Sequence, residues 1–178
     1  KIKPVLLSLQ NEPVETEVEL DIPEEPVAKA DEADIQKLRA TGAVVLPVAQ
    51  NSNYLMANFI IARQLTNADM QLLLPLKKQL IWLKLGGTKI SDSALEVISQ
   101  CNKLMRLQLE HTAITDAGLT SLKSLNDLRY LNLVGTKVTA NGVQQLRDLK
   151  KLKWIYLYQT NVQKADWPVL QKIFPETH

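Results

Sequence analysis

Leucines recur in the second half of the chain at a fixed interval of 24 residues. Four segments of that length share most of their apolar positions, and they begin at Leu80, Leu104, Leu128 and Leu152. A fixed period of about 20–50 residues indicates a repeat architecture, in which each unit buries its apolar face against its neighbours. We therefore predict a stack of similar structural units over residues 80–178.

The hydrophobic period changes partway through each repeat. In the second copy, LMRLQLEHTAITDAGLTSLKSLND, Leu107 and Leu109 alternate with outward residues, as side chains of a β-strand do. Leu119, Leu122 and Leu125 then follow at the spacing of one helical face. We predict one strand and one helix in each repeat, so that stacking gives a parallel sheet inside and helices outside.

Polar residues also recur at fixed positions of the repeat. The hydroxyl of a threonine can satisfy a backbone group where the chain leaves the strand, and the ninth position is always threonine: Thr88, Thr112, Thr136 and Thr160. Ser91, Thr115 and Thr139 stand where a helix N-cap is expected. Asp92 and Asp116 follow two of them, where a negative charge favours the positive helix end.

The pattern L-x-x-L-x-L-x-x-T-x-I-T-D-x-G-L-x-x-L-x-x-L resembles the bacterial leucine-rich repeat in which Thr stands where Asn is commoner. The resemblance covers residues 80–175 firmly and 55–79 loosely, where Leu65–Met70 matches Ile114–Leu119. It implies an α/β leucine-rich-repeat solenoid that forms a right-handed coil. The parallel sheet is expected on the concave face of this coil, and the helices on its convex face.

The resemblance also bears on the context of the chain. Such repeats resemble the C-terminal region of larger bacterial envelope proteins that carry a c-type haem domain and membrane helices upstream. Because this chain has no C-x-x-C-H motif, a haem role is not transferred to it. The resemblance favours an exported, periplasmic location on a membrane-tethered parent. We expect this chain, which lacks an initiator Met, to be a monomeric piece of that longer protein.

The N-terminal part has a different composition. Residues 1–34 hold ten acids and three lysines, so residues 1–32 are predicted to form an acidic, proline-rich linker or arm. The Val/Glu alternation at Val14–Leu20 leaves open an edge strand laid on the body. Residues 33–79 are predicted to cap the stack with a helix at Ala33–Ala40 ended by Gly42, a buried strand at Ala43–Val48, a second strand at Tyr54–Ile61, and the degenerate repeat.

The opposite end of the stack is predicted to be closed by the segment Asp166–Phe174. Trp167 stands in the position that Leu119 holds in the second repeat, so it is expected to face the core. The chain has no apolar run near the roughly 18 residues that a membrane-spanning helix needs, and no membrane contact is expected of it.

Residues that could carry catalysis are scarce. The single cysteine, Cys101, aligns with Leu125 and Leu149, so it is predicted to be a buried structural thiol. His111 is either a ligand contact or a plain surface-loop residue, and the other histidine is His178. Gly86–Gly87 has no phosphate-binding motif around it. We predict a chain that is not an enzyme and that has no catalytic residues, no metal and no cofactor.

Nucleic-acid binding is also not expected. A nucleic-acid site needs lysines and arginines gathered on one face. Here such residues map mostly to the predicted helices and loops on the convex side, as do Lys123, Arg147 and Lys150.

The outward positions of the predicted strands are unusually aromatic. Neighbouring strands lie about 4.8 Å apart, so the side chains at positions 3, 5 and 7 of the repeats form a continuous wall. Position 3 is Trp82, Arg106, Tyr130 and Trp154; position 5 is Lys84, Gln108, Asn132 and Tyr156; position 7 is Gly86, Glu110, Val134 and Tyr158. Five of the nine aromatic residues of the chain fall on this face.

Trp, Tyr and Arg dominate binding hot spots, which predicts a binding surface. Its predicted site residues are Trp82, Lys84, Arg106, Gln108, Glu110, Tyr130, Asn132, Trp154, Tyr156 and Tyr158. Two other interpretations stay open: the N-terminal arm covers the wall, or the wall stiffens the sheet through cross-strand pairs. We predict a non-catalytic module that binds a protein, or a peptide or glycan, on its concave face. The alternative is a structural or regulatory appendage of the larger envelope protein.

Overall fold

The structure is a computed structural model that describes residues 22–62 and 64–178. In these residues one mixed sheet contains six strands that follow chain order. The strands are β1 (Val44–Pro47), β2 (Leu55–Asn58), β3 (Leu80–Lys84), β4 (Arg106–Gln108), β5 (Tyr130–Asn132) and β6 (Trp154–Tyr156). β1 is antiparallel to β2, and each later strand pairs in parallel with the one before it.

Short helical segments connect β2 to β3 and each later pair of strands, while α1 precedes β1 and α5 follows β6. The α-helices of the described residues are α1 (Glu32–Ala40), α2 (Asp92–Ile98), α3 (Asp116–Leu119), α4 (Ala140–Gln144) and α5 (Trp167–Ile173). Three 3₁₀ segments complete the connections, at Asn67–Leu76, Thr120–Ser124 and Lys164–Asp166. The helical halves are therefore shorter and tighter than the predicted ones, because the return to the next strand leaves little room for regular α-helix within a 24-residue unit.

The predicted register of the repeats is confirmed. Equivalent residues pair across neighbouring strands, so Leu83, Leu107 and Leu131 stand side by side. These leucines belong to one core that runs from Ala30 to Leu170, and the helical positions Leu119, Leu122 and Leu125 are also buried in it. The second position of the repeat is a further buried site that the sequence pattern did not predict. Ile81 and Met105 there form a separate small cluster with Tyr54.

The helix and strands of the N-terminal part lie where they were predicted, but the burial of the first strand differs from the prediction. α1 begins after Asp31, whose carboxylate accepts a 2.8 Å hydrogen bond from the Ala33 N–H. β1 was predicted as a buried strand, and this is wrong: Val44 and Leu46 are 41% and 47% exposed, and Val45 is buried. β1 is the edge strand of the sheet, so one of its faces meets the core and the other points outward.

Part of the predicted acidic arm is described, and it lies along the start of the strands. The side chains of Ile22 and Val27 pack against the cluster of Tyr54, Ile81 and Met105. The Tyr54 hydroxyl donates a 2.8 Å hydrogen bond to the Glu25 carbonyl, and Gln79 donates one of 2.9 Å to the Ala28 carbonyl. The segment Val14–Leu20, for which an edge strand was left open, lies outside the described residues.

The recurring threonines satisfy backbone carbonyls as predicted. Each hydroxyl donates to the carbonyl three residues earlier, as Thr112 does to Leu109 at 2.6 Å and Thr136 to Leu133 at 2.6 Å. Both side chains are buried, so no water can replace them at these carbonyls. The threonine therefore stabilises the turn at the end of the strand.

Replacing Thr112 by valine keeps the shape of this side chain but removes its donor. We expect the free energy of unfolding to fall by about 1–3 kcal/mol, the cost of a buried carbonyl left without a partner. Urea denaturation followed by circular dichroism measures this difference. The same change at Thr120, whose hydroxyl donates to the Ala117 carbonyl at an exposed position, is the matched control and should cost less than Thr112→Val. Equal losses at the two sites would contradict the role given to the buried hydroxyl.

Aspartates link one repeat to the next, a role that the helix-start interpretation missed. Asp92 accepts hydrogen bonds from the Thr115 N–H at 2.8 Å and from the Thr115 hydroxyl at 2.6 Å. Asp116 accepts the equivalent pair from Thr139 at 2.7 and 2.6 Å. Asn67 does the same toward the Ser91 N–H at 2.8 Å. Each N-cap is thereby tied to the helix start of the preceding unit.

These links change the outcome of the N-cap prediction. Ser91, Thr115 and Thr139 do occupy the N-cap positions of α2, α3 and α4. The Thr115 hydroxyl caps its own helix by accepting from Ala117 N–H at 3.3 Å. Ser91 and Thr139 make no such side-chain cap, and their side chains bond only to the preceding unit.

Trp167 departs from its predicted core position. It is 44% exposed at the start of α5, whereas Leu119 in the equivalent position is fully buried. Its side chain lines a small apolar cleft with Val143, Leu157 and Phe174. Leu119 belongs to α3, which packs between α2 and α4, whereas α5, which begins at Trp167, packs against α4 and the 3₁₀ segment Lys164–Asp166.

Candidate functional site

The predicted wall lies on the sheet face that points away from the core, which we call the outward face. Strand pairing aligns Trp82 with Arg106, Arg106 with Tyr130, and Tyr130 with Trp154. A second row aligns Lys84, Gln108, Asn132 and Tyr156 in the same way. The structure therefore brings the position 3 and position 5 residues together in two continuous rows.

The outward face extends over two strands that the sequence prediction left out. Leu46 pairs with Met56, and Met56 with Trp82, so both rows continue onto β2 and β1. Val44 and Asn58 continue the other row. The sequence of these strands gives little signal of this, because Val44 and Leu46 are as apolar as the buried Val45. Strands outside the 24-residue period also share no position number with the repeats.

Contacts between the side chains order the middle of the face. The Arg106 guanidinium lies 4.9 Å from the centre of the Trp82 ring, and the Lys153 ammonium lies 5.9 Å from that of Trp154. The Tyr130 and Tyr156 rings are 5.1 Å apart and tilted by 37°. Cation–π and aromatic contacts of this kind hold side chains in defined orientations. The cross-strand interpretation thus describes real contacts, and these contacts also preform the surface.

Burial changes the chemistry of Tyr130. Desolvation raises the pKa of its phenol above the ordinary value, and the neighbouring Tyr156 adds to the rise, although a hydrogen bond with Gln108 opposes it. The hydroxyl therefore stays protonated at neutral pH and remains able both to donate and to accept a hydrogen bond. It presents a neutral polar group among the aromatic rings.

The seventh position marks the far edge of the outward face. Tyr158 is 73% exposed there, and Val134 is half-buried. The Glu110 side chain folds over Gly86, where a Cβ atom would collide with it. One carboxylate oxygen of Glu110, Oε2, is buried and has no hydrogen-bond partner among the described residues. Glu110 therefore lies on the predicted surface but turns toward the first repeat.

His111 is an exposed turn residue next to this edge. Its φ of 55° is left-handed, as are those of Gly87, Gly135 and Gln159 at the same position of the other repeats. This geometry belongs to the turn that every repeat makes after its strand, which favours the surface-loop interpretation of His111.

A shallow depression of about 190 Å³ lies in the centre of the face. Its lining includes Met56, Trp82, Lys84, Arg106 and Tyr130. The indole N–H of Trp82 is buried and has no acceptor among the described residues. Two cations and apolar rings thus surround one hollow, a combination that suits a ligand with both acceptor and apolar groups.

Cys101 is a buried thiol, as its alignment with core leucines predicted. Cys101 is buried, and this burial raises the pKa of its thiol to about 12, so the thiolate needed for nucleophilic attack does not form at neutral pH. Among residues 22–62 and 64–178, no three His, Cys, Asp or Glu side chains are placed to hold a metal ion. In the same residues no helix has the length and apolar character to cross a membrane.

Comparison with known proteins gives a match to a family model and similar solved structures. The family model described as "Leucine Rich repeat" matches residues 100–123. A leucine-rich-repeat protein from Leptospira interrogans is similar in structure, with 21% identity over 57% of this chain and 25% of that one, at a TM-score of 0.43. An internalin from Listeria monocytogenes is 18% identical over 58% of this chain and 36% of its own, also at 0.43.

The matches cover only part of the proteins compared. The chain spans 25% and 36% of the lengths of the two proteins of known structure. No curated protein sequence matches the chain significantly. The family model falls almost entirely on the second repeat, whose pattern recurs in register in the units on either side of it. Residues 100–123 thus match the leucine-rich-repeat family, and the sequence pattern of this segment recurs in the other 24-residue units of the chain.

Proposed function

We propose that the chain is a non-catalytic binding module that recognises a partner protein through its outward face. The observation that carries this proposal is the unbroken pairing of Trp82, Arg106, Tyr130 and Trp154 across four strands. Leucine-rich repeats form a protein-interaction architecture, so the fold and the surface favour the same kind of activity. On this proposal the units coil as a solenoid whose sheet lines the concave side, and the partner enters the hollow.

The composition of the face suits a protein partner better than a glycan. Aromatic residues and arginine are enriched at protein interfaces, whereas lysine and glutamate are depleted there. The face combines apolar and aromatic residues with two cations, Lys84 and Arg106, and the Tyr130 hydroxyl. Tyr156 and Tyr158 are exposed at its C-terminal side, where a partner would bury the most apolar surface and so gain the most binding free energy.

The test is capture of a partner by the immobilised chain from an extract of the source cells, followed by affinity measurement with the captured protein in purified form. Tyr158→Ala, at a position that is 73% exposed, should leave thermal stability nearly unchanged. We expect this variant to weaken binding by about 2 kcal/mol, or about 30-fold in Kd, if Tyr158 is a hot spot of the interface.

Trp167→Ala is the matched control, because Trp167 is another exposed aromatic residue but lies on α5, away from the outward face. Trp154→Ala should behave as Tyr158→Ala does, since both residues lie on β6 or at its end. Equal affinity of wild type, Tyr158→Ala and Trp154→Ala, or a larger loss with Trp167→Ala, would remove the outward face as the binding site.

A further inference from the structure

We propose that the partner docks a carboxylate, the side chain of an Asp or Glu residue, between Lys84 and Arg106 of the outward face. The acidic residue lies in an extended segment of the partner, with an apolar residue two positions before it and another two positions after it. This inference rests on the proposed function, because it names the chemistry of the ligand that the same face would bind.

The Arg106 guanidinium is already oriented for a carboxylate. It lies 4.9 Å from the centre of the Trp82 ring. Stacking on the ring occupies a flat side of the guanidinium, so the N–H donors around its edge can still form two parallel hydrogen bonds with a carboxylate. Because the ring restricts the arginine before any ligand arrives, less conformational entropy is lost on binding.

Lys84 supplies a second positive charge at the same place. It pairs with Gln108 on β4, two residues beyond Arg106, so Lys84 and Arg106 are diagonal neighbours on adjacent strands. Diagonal neighbours in a sheet start about 7–8 Å apart, a distance that two long side chains can close around one carboxylate. Both cations line the central depression of about 190 Å³.

The charge of these two cations is not balanced by an ion pair within the described part of the chain. No carboxylate of residues 22–62 and 64–178 forms an ion pair with either of them. Glu110 is the one acid at positions 3, 5 and 7 of the four repeats, and its side chain folds over Gly86. Lys103, by contrast, is paired with Glu25 at 2.9 Å. A partner carboxylate therefore meets uncompensated positive charge on the face, which favours its approach.

The aromatic residues beside Arg106 define what flanks the carboxylate. Arg106 pairs with Trp82 on one side and with Tyr130 on the other, each about 4.8 Å away across the sheet. An extended segment that crosses the strands turns every second side chain toward the face, at intervals of about 7 Å. A carboxylate over Arg106 therefore places the side chains two positions away near Trp82 and Tyr130. Met56 extends the apolar surface on the Trp82 side, so apolar side chains at these positions bury the most surface.

The experiment selects ligands for the immobilised full chain from a library of short random peptides. Peptides retained by wild type are expected to be enriched in Asp and Glu relative to the input library, with apolar residues two positions away on both sides. The bait Lys84→Gln/Arg106→Gln should lose this enrichment. Its thermal melt should match that of wild type, since both side chains are only half-buried.

Affinity measurements with one retained peptide, made synthetically, provide the second readout. We expect Lys84→Gln/Arg106→Gln to weaken its binding about tenfold relative to wild type. Changing the acid of the peptide to its amide should weaken binding to wild type by a similar factor and leave binding to the double variant unchanged. Arg106→Lys keeps the charge but not the two parallel bonds, so its affinity should lie between those of wild type and the double variant. Raising the salt concentration should weaken the wild-type complex more than that of the double variant.

Lys123→Gln/Arg147→Gln is the matched control, because it removes one lysine and one arginine at exposed positions outside the strands. It lowers the net charge of the chain by the same amount as the double variant. It should keep both the acidic enrichment and the wild-type affinity.

Three results would overturn the proposal: no acidic enrichment on wild type, equal enrichment on Lys84→Gln/Arg106→Gln, or an equal loss with the control variant. Each leaves the proposed function standing if capture of the partner still depends on Tyr158 and Trp154. Conversely, acidic enrichment that requires the two cations, together with capture that ignores Tyr158 and Trp154, would keep the carboxylate site and remove the proposed function as stated.

Discussion

Replacing Leu107 by alanine is expected to lower the free energy of unfolding by about 3 kcal/mol, within the range of about 2–5 kcal/mol found for buried leucines. Leu107 is fully buried in the central strand β4, between Leu83 and Leu131 of the neighbouring repeats. Both neighbours are anchored by strand pairing, so the cavity left by the lost side chain cannot close by a local shift. For a chain of this size, the melting temperature should fall by about 10 °C.

Leu46→Ala is the matched control for this prediction. Leu46 is 47% exposed on the edge strand β1, so the same truncation removes little buried surface and should cost less than about 1 kcal/mol. Differential scanning calorimetry of the two variants and wild type measures both effects. A loss at Leu107 no larger than that at Leu46 would mean that the repeats do not bury their leucines against each other.

The second large effect concerns the contact between Asp116 and Gly142. A Cβ atom at position 142 would collide with the Asp116 carboxylate, which is held there by its two hydrogen bonds to Thr139. Gly142→Ala should therefore cost about 2 kcal/mol or more, because the carboxylate must leave Thr139 or the helix must move. Asp116→Ala alone should cost about 2–3 kcal/mol, since both Thr139 donors lose a charged partner.

The double variant gives the decisive result. Without the carboxylate, alanine at position 142 meets only the Cβ atom of residue 116, at 2.9 Å, and it gains about 1 kcal/mol over glycine in a helix. Asp116→Ala/Gly142→Ala is therefore expected to lose less stability than the sum of the two single variants, so the two costs are not additive. Urea denaturation of the four proteins measures this coupling. Asp148→Ala, at an exposed acid 4.0 Å from Lys150, should change stability by less than about 0.5 kcal/mol and serves as the control. Additive costs in the double variant would contradict the contact.

Much of the fold could be predicted from the sequence because it follows from the 24-residue period. A spacing of 24 residues fixes which residues are equivalent, and equivalence fixes the register, so the alignment of Trp82, Arg106 and Tyr130 followed from counting alone. The threonine hydroxyls were also predictable, since each acts within its own turn. Features that repeat and act locally are therefore visible in the sequence.

Features that depend on contacts between units could not be predicted from the sequence. Ser91 and Thr139 look like ordinary N-caps, and their bonds to Asn67 and Asp116 involve residues 23 or 24 positions away. The burial of Ile81 and Met105 depends on the N-terminal segment that packs over them through Ile22. A periodic pattern describes one unit at a time, so it cannot show which side chain a neighbouring segment will cover.

The aspartate links also end before the last repeat. Ala140 stands where Asp92 and Asp116 stand in the two preceding units, so it offers no acceptor to the next helix start. There the Gln163 N–H is bonded to Asp166 of its own turn instead, at 2.8 Å. In a stack whose stability is a sum of unit and interface contributions, one weaker interface localises opening. Fluctuations should therefore begin at the junction after α4, and the part of the outward face that carries Tyr156 and Tyr158 can adjust to a ligand while β3 and β4 stay rigid.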